Sequence, residues 1–426
     1  VLIVFILFSV NILINLKNNY TFGNTKMNDM DVLFQRFTEK YARTQVRTTR
    51  LFEQEIDWDN QLIGLKGARG VGKTTLLLQH IKKNYALNNQ VLYTSLDHLY
   101  FIDHKLYDFA TTFHQKGGKL LVLDEVHRYP NWSVELKNIY DDFPDLKVIF
   151  TGSSLLEINR GKADLSRRAV IYNMCGLSLR EFVNFETGEK FEPINFDYLL
   201  KNHRQIAAEI ITKIKPLVFF EQYLQHGYYP FYLENKNTYQ SKLEQAVHLI
   251  LDVDIPQYEQ VQISNIVAMK RLLQIIASSV PFKPNYTAIS QRSGISINTL
   301  KNYISYLSDA ELILLLHPTN NGMSNLGKPE KIYLQNPSLL YNMVGNNVEI
   351  GNVRETFFYN QVSRMAEVNA SPNADFLVNG QHTFEVGGKN KKKKQIADLP
   401  DSYIVMDDIT TGFDNVIPLW LFGFLY

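Results

Sequence analysis

Between residues 61 and 175 the chain sets short apolar runs among amphipathic stretches: Leu62–Leu65, Val91–Leu96, Leu120–Leu123, Val148–Phe150 and Val170–Tyr172. Strands buried on both faces read as continuous apolar runs of this kind, and the amphipathic segments between them suit helices covering a parallel sheet. The pattern predicts an α/β domain of about five strands. Residues 31–60, with mixed charges, predict a helical lead-in. Residues 176–260 lose the alternation and predict helices rich in Leu, Tyr and Phe, including Phe219 to Leu224, with a turn at Gly227 to Pro230. From 265 a compact helical unit leads to strand-like Leu312–Leu316 and Lys331–Leu334, separated by turn residues from Pro318 to Gly322. The remainder returns to alternating strands and carries a lysine cluster, Lys391–Lys394. No internal repeat is evident.

Composition narrows the class. A chain of 426 residues that is 45% hydrophobic and 12% aromatic has ample material for buried cores, which excludes a wholly disordered protein. Its length suggests roughly two to four domains. With 44 basic against 43 acidic side chains it is no general polybasic nucleic-acid binder, although a local patch fits within a neutral total. The single cysteine, Cys175, excludes an intramolecular disulfide or a cysteine zinc cluster and fits a cytoplasmic location. Residues Val1–Leu16 are almost wholly apolar, yet short for a membrane helix and without the basic start of a signal peptide. Since Met27 opens an ordinary polar stretch, residues 1–30 are expected to be a non-native or disordered extension, a short membrane anchor being the alternative.

The chemistry is concentrated in Gly67-Ala68-Arg69-Gly70-Val71-Gly72-Lys73-Thr74, followed by Thr75: two glycines five apart, then Lys and a hydroxyl residue, between a strand and a helix. Glycines let the backbone curl so that successive N–H groups converge on phosphate oxygens at a helix N-terminus. Lys73 is expected to reach the β- and γ-phosphates, and the Thr74 hydroxyl to ligate Mg²⁺. About fifty residues on, Leu120–Leu123 ends in Asp124 and Glu125. A buried strand would deliver Asp124 to the magnesium shell and Glu125 to the attacking water. The next strand ends in Thr151-Gly152-Ser153-Ser154, a polar cluster suited to the γ-phosphate or the water, or else a strand-to-helix cap. Arg167 and Arg168 are candidates for stabilising charge in phosphoryl transfer, in cis or from a neighbouring subunit, with a surface ion pair equally open. For Asp97 a structural role leads.

GARGVGKTT, LLVLDE, IFTGSS and DLSRR followed by GLSLREF resemble the AAA-type P-loop ATPases of bacteria and archaea that carry a winged helix and a C-terminal domain similar to restriction endonucleases. The resemblance implies ATP as cofactor, its hydrolysis, a five-stranded sheet, and Ser153 or Ser154 as γ-phosphate sensor. It also implies the organisation: a P-loop domain at 31–175, a helical lid or linker at 176–260, a winged helix at 261–335 and an endonuclease-like α/β domain at 336–426.

Within 261–335, Ile289 to Ser296 reads as helix, glycine turn, helix, and Leu300, Ile304 and Leu307 form a buried face. The outward face presents Asn298, Lys301, Asn302 and Ser305; with one basic residue there, packing or protein contact outweighs DNA reading. At the C-terminus, Glu355, Asp375 and Glu385 with Lys389 resemble a metal-dependent endonuclease site. However, Gly387 stands where the lysine belongs, so a vestigial site is the favoured reading. Lys391–Lys394 is either a solvated face or an anion contact. The sequence therefore favours an ATP-hydrolysing switch whose nucleotide state controls C-terminal interaction modules, with DNA or protein partners, a homo-oligomer and no membrane association. The alternatives are an ATP-regulated Mg-dependent nuclease and a non-hydrolysing nucleotide-binding scaffold.

Overall fold

A computed structural model describes residues 29–46, 48–152, 165–256, 263–278, 283–319, 328–389 and 399–426. Nearly all of the 1–30 extension, Ser153, Ser154 and Lys391–Lys394 lie outside them. The lead-in forms a helix, Asp29–Arg43, and a 3-10 turn, Leu51–Glu55. Each apolar run from 62 to 172 is then a strand: β1 Leu62–Lys66, β2 Val91–Ser95, β3 Leu120–Asp124, β4 Lys147–Gly152 and β5 Ala169–Asn173.

The five strands are parallel and ordered β2-β3-β4-β1-β5. All point the same way, so the last residues of β1, β3 and β4 share one edge, with β4 between the other two. This brings together motifs that are about fifty residues apart in sequence. Gly64 lets β1 pack tightly, since a Cβ there would lie 2.4 Å from Ile171 Cδ1.

Beyond the sheet the chain is helical. Leu179–Thr187 starts on a capping box, in which the Ser178 hydroxyl accepts from Glu181 N–H while the Glu181 side chain accepts from Ser178 N–H, and ends at Gly188. Helices Phe196–Ile211, Pro216–Gln222 and Tyr239–Leu249 follow, the last two running into π-helical turns at Tyr223–Gly227 and Ile250–Asp254. Next come Ile263–Ser278, Tyr286–Ser293 and Ile297–Asp309. Gly294, at φ 70°, ends the second of these and the Ser296 side chain caps the third. Leu300, Tyr303, Ile304 and Leu307 are buried, while Asn298, Lys301, Asn302 and Ser305 are exposed, as the periodicity requires. An antiparallel pair, β6 Ile313–Leu316 with β7 Lys331–Leu334, completes this unit.

The C-terminal part is a mixed sheet of β8 Val368–Ala370, β9 Phe376–Val378, β10 His382–Gly387, β11 Ser402–Met406 and β12 Val416–Pro418. The first two pairings are antiparallel and the last two parallel. Phe358 of helix Ile350–Val362 packs against Phe376 and Phe384 of this sheet with tilted rings. One apolar core extends from Met30 to Leu425. The Tyr426 carbonyl accepts hydrogen bonds from Ser178 Oγ (2.6 Å) and Arg180 Nε (2.8 Å), fastening the C-terminal part to the start of the helical segment. Among the described residues no helix is long and apolar enough to cross a membrane.

Candidate active site

The loop from β1 to helix Lys73–Asn84 uses its glycines conformationally. Gly67, Gly70 and Gly72 have φ of 151°, 87° and 97°, values that side chains rarely adopt. Space is also short: a Cβ on Gly67 would lie 2.1 Å from the Met174 carbonyl oxygen, and one on Gly70 2.9 Å from the Phe231 ring. Lys73 is buried and donates to the carbonyls of Gly67 (2.7 Å) and Ala68 (2.9 Å), so its ammonium is held across the mouth of the loop. Burial pushes its pKa down, against the opposing charges of Glu125, Asp124 and Glu311.

Asp124 gathers hydroxyls. Its Oδ2 accepts from Thr74 Oγ1 and from Tyr93 OH, each at 2.6 Å, and its Oδ1 accepts from Thr151 Oγ1. Burial and the Asp124 charge drive the Tyr93 phenol far above its ordinary range, so that it remains a donor. Thr74 and Asp124 thus place two hard oxygens together, a donor set that suits Mg²⁺. Among the described residues no group of three His, Cys, Asp or Glu side chains could hold a metal.

Glu125 follows in a left-handed conformation, φ 53° and ψ 42°, which turns it away from the strand direction. Its Oε2 lies 3.7 Å from Arg69 Nη2 and 3.5 Å from His127 Nε2. Burial lowers the His127 pKa to about 4; Asp254 opposes this, while Arg128, Arg69 and Lys73 reinforce it. Beside the loop opens a cleft of about 860 Å³, lined by the loop and by Gln45, Thr48, Phe185, Phe231 and Leu233. That volume lies within the range of small-molecule sites.

Several supporting residues carry no sequence signal of their own. Arg50 makes a two-pronged pair with Glu181 (3.0 and 2.6 Å) and donates to the carbonyls of Gly176 (2.9 Å) and, at longer range, Val71 (3.4 Å). Glu311, with φ 54° just after helix Ile297–Asp309, accepts from Ala68 N–H at 2.9 Å. The Ser178–Glu181 spacing, a capping box, was the only local hint of this support.

Of the remaining expected residues, Arg168 takes the surface ion pair that the sequence left open, and the C-terminal lysine is corrected. Arg167 is exposed, and Arg168 pairs with Asp141 at 2.8 Å. Both precede Ala169, which is paired in register with Leu62 at the edge opposite Lys66, so the fold keeps them away from this chain's own phosphate loop. At the C-terminus, Glu355, Asp375 and Glu385 do line one hollow of about 760 Å³, but Lys389 is exposed on the turn after β10 and does not line it. The lysine that meets the carboxylates is Lys331 of β7, whose Nζ is 3.0 Å from Glu355 and 3.1 Å from Asp375. Burial alone would lower the Lys331 pKa, yet Glu355 and Asp375 together hold it above its ordinary value. Burial and the Asp375 charge raise that of Glu355. Tyr333 OH also donates to Glu355, and Val386 N–H to Asp375.

Residues 59–183 match the family model of an AAA domain, and residues 218–349 match that of a domain of unknown function, DUF8612. Two uncharacterized proteins of Methanocaldococcus jannaschii are similar, one 28% identical over 285 residues (64% of this chain, 60% of its own). The other is 23% identical over 272 residues (61% and 57%), so the chain spans about 60% of the length of these curated relatives. Among solved structures, a Walker-type ATPase of Pyrococcus abyssi aligns over 73% of this chain and 94% of its own at 12% identity, with a TM-score of 0.37. The phosphate loop and the five-stranded parallel sheet both fall within residues 59–183, the stretch that matches the AAA domain model.

Proposed function

We propose that the chain binds ATP with Mg²⁺, hydrolyses it, and uses the nucleotide state to reposition its C-terminal units against a protein or DNA partner. The observation that carries this reading is the joining of Thr74 to Asp124 at 2.6 Å, with Glu125 next in sequence and Lys73 across the loop. Loop N–H groups and the start of helix Lys73–Asn84 favour the phosphates. The wall formed by Phe185, Phe231 and Leu233 suits a purine base. Thr74 and Asp124 would hold the magnesium, which when bound withdraws charge from the phosphate oxygens. Glu125 accepts a proton from water as the water oxygen bonds to the γ-phosphorus; the bond to the bridging oxygen breaks and its electron pair leaves with ADP.

The helix–turn–helix followed by β6 and β7 supports a winged helix, and its sparse charge favours a protein partner. Lys270 is paired with Asp252 (2.7 Å) and Lys283 with Glu330 (3.6 Å), which reduces what these two lysines offer a phosphate backbone. The test is ATP turnover of the full chain beside Lys73→Ala and Glu125→Gln. Both variants are expected to lose roughly 100-fold or more in kcat, with Glu125→Gln still binding ATP. Equal rates in all three proteins would refute hydrolysis at this site.

A further inference from the structure

Arg69 lies within the phosphate loop, and its guanidinium turns toward the end of β3. Its Nη2 is 3.7 Å from Glu125 Oε2 and 3.3 Å from both carboxylate oxygens of Asp254. Arg128, three residues after Glu125, places its own Nη2 3.0 Å from Asp254 Oδ1. Asp254 is 3% exposed and ends the π-helical turn Ile250–Asp254, an irregularity that helices often reserve for functional positions. Two guanidiniums from separate loops at the nucleotide edge therefore converge on one buried carboxylate that the helical segment supplies. They do so next to the acid that would polarise the water.

A guanidinium fork recognises carboxylate and phosphate oxygens through the same planar geometry. The terminal phosphoryl group would sit where the β1 loop, Lys73 and Glu125 converge; Arg69 lines that cleft, and Arg128 meets Arg69 there through their shared partner Asp254. Phosphoryl transfer spreads negative charge over the equatorial oxygens of that group, and arginine is the side chain that stabilises it best. Asp254 satisfies both arginines from a different part of the chain, so it competes with the triphosphate for them.

We propose that Arg69 and Arg128 contact the γ-phosphate of ATP and stabilise the transition state, and that they release Asp254 to do so, freeing helix Tyr239–Leu249 and its π turn from the loop. This rests on the ATPase reading above and names its cationic catalytic residues and its coupling contact. As water bonds to the γ-phosphorus and the bond to the bridging oxygen breaks, the two arginines neutralise the charge without accepting a proton, which goes to Glu125.

The experiment measures kcat and KM for ATP, and separately the affinities for ADP and for ATPγS, on the full chain and on Arg69→Ala, Arg69→Lys, Arg128→Ala and Asp254→Asn. Arg69→Ala and Arg128→Ala are expected to lower kcat roughly 100-fold to 1000-fold and to weaken ATPγS while leaving ADP within about twofold. Arg69→Lys, which lacks the fork, is expected to restore little of the rate. Asp254→Asn is expected to favour ATPγS over ADP by roughly tenfold, because the competing charge is gone. Wild-type kcat in both alanine variants would overturn the proposal, as would a parallel loss of ADP and ATPγS affinity with a fall in thermal stability, the sign of a purely structural clamp. If the wild type proved unable to hydrolyse ATP, the hydrolysis reading would fail by itself; the ATPγS-to-ADP ratio would still decide whether the arginines read the γ-phosphate.

Discussion

His127 shows how a single side chain reports on its surroundings. It is packed beside Glu125 under three cations, and burial with those charges keeps it neutral down to about pH 4. In the unfolded chain it would titrate near 6.5. Between those values the unfolded state binds more protons, so its contribution to stability is complete above about pH 6.5 and is lost as pH falls toward 4. The loss amounts to about 3 kcal/mol at most. Urea unfolding of the wild type and of His127→Gln across that window is expected to give a steeper acid loss in the wild type. Glu125 itself was legible in the sequence because the strand ahead of it is uninterrupted and apolar. Its left-handed backbone was not, nor its Arg69 neighbour, which arises only when β1 and β3 are brought to one edge by the parallel order. Asp254 and Glu311 reach the loop from 185 and 243 positions away, which no local pattern records.

Among the elements, the five strands were readable because burial on both faces demands unbroken apolar runs, and the face of Ile297–Asp309 because its period of 3.6 is regular. The partner of Arg50 was not readable. A lone arginine in the lead-in looks like any other surface charge, yet it is 8% exposed and is clamped by Glu181 from the first turn of Leu179–Thr187. That pair ties the lead-in to helix Leu179–Thr187, and Arg50 also reaches the segment after β5 through the Gly176 carbonyl and the phosphate loop through the Val71 carbonyl. Removing the cation leaves a buried carboxylate without its counter-charge, so Arg50→Ala is expected to cost about 3–5 kcal/mol. A shifted denaturation midpoint would show it; a change below about 1 kcal/mol would mean that the pair is not structurally important. Lys331 illustrates the same limit at the other end of the chain. Sequence spacing set Lys389 beside Asp375 and Glu385, whereas in the fold it is Lys331 of β7 that pairs with Asp375, and with Glu355 from the preceding helix.

At the scale of the whole molecule, the phosphate loop touches both the helical segment that follows the sheet and the unit after it. Phe231 covers Gly70, Asp254 holds Arg69, and Glu311 accepts the Ala68 N–H. The Glu311 contact links the loop directly to the unit formed by Tyr286–Ser293, Ile297–Asp309 and β6–β7, so a loop that stiffens around a ligand will be felt there. Hydrogen exchange across 297–316 is expected to slow when ATP and magnesium are added to the wild type, and to respond little in Glu311→Ala. The same response in both proteins would remove Glu311 from the route. The most direct test of the account is a calorimetric titration of the full chain with ATP in the presence of magnesium, repeated with Lys73→Ala. The account predicts saturable binding to the wild type that weakens roughly 100-fold or more once the loop cation is lost. No binding to the wild type, or equal binding to both, would contradict it.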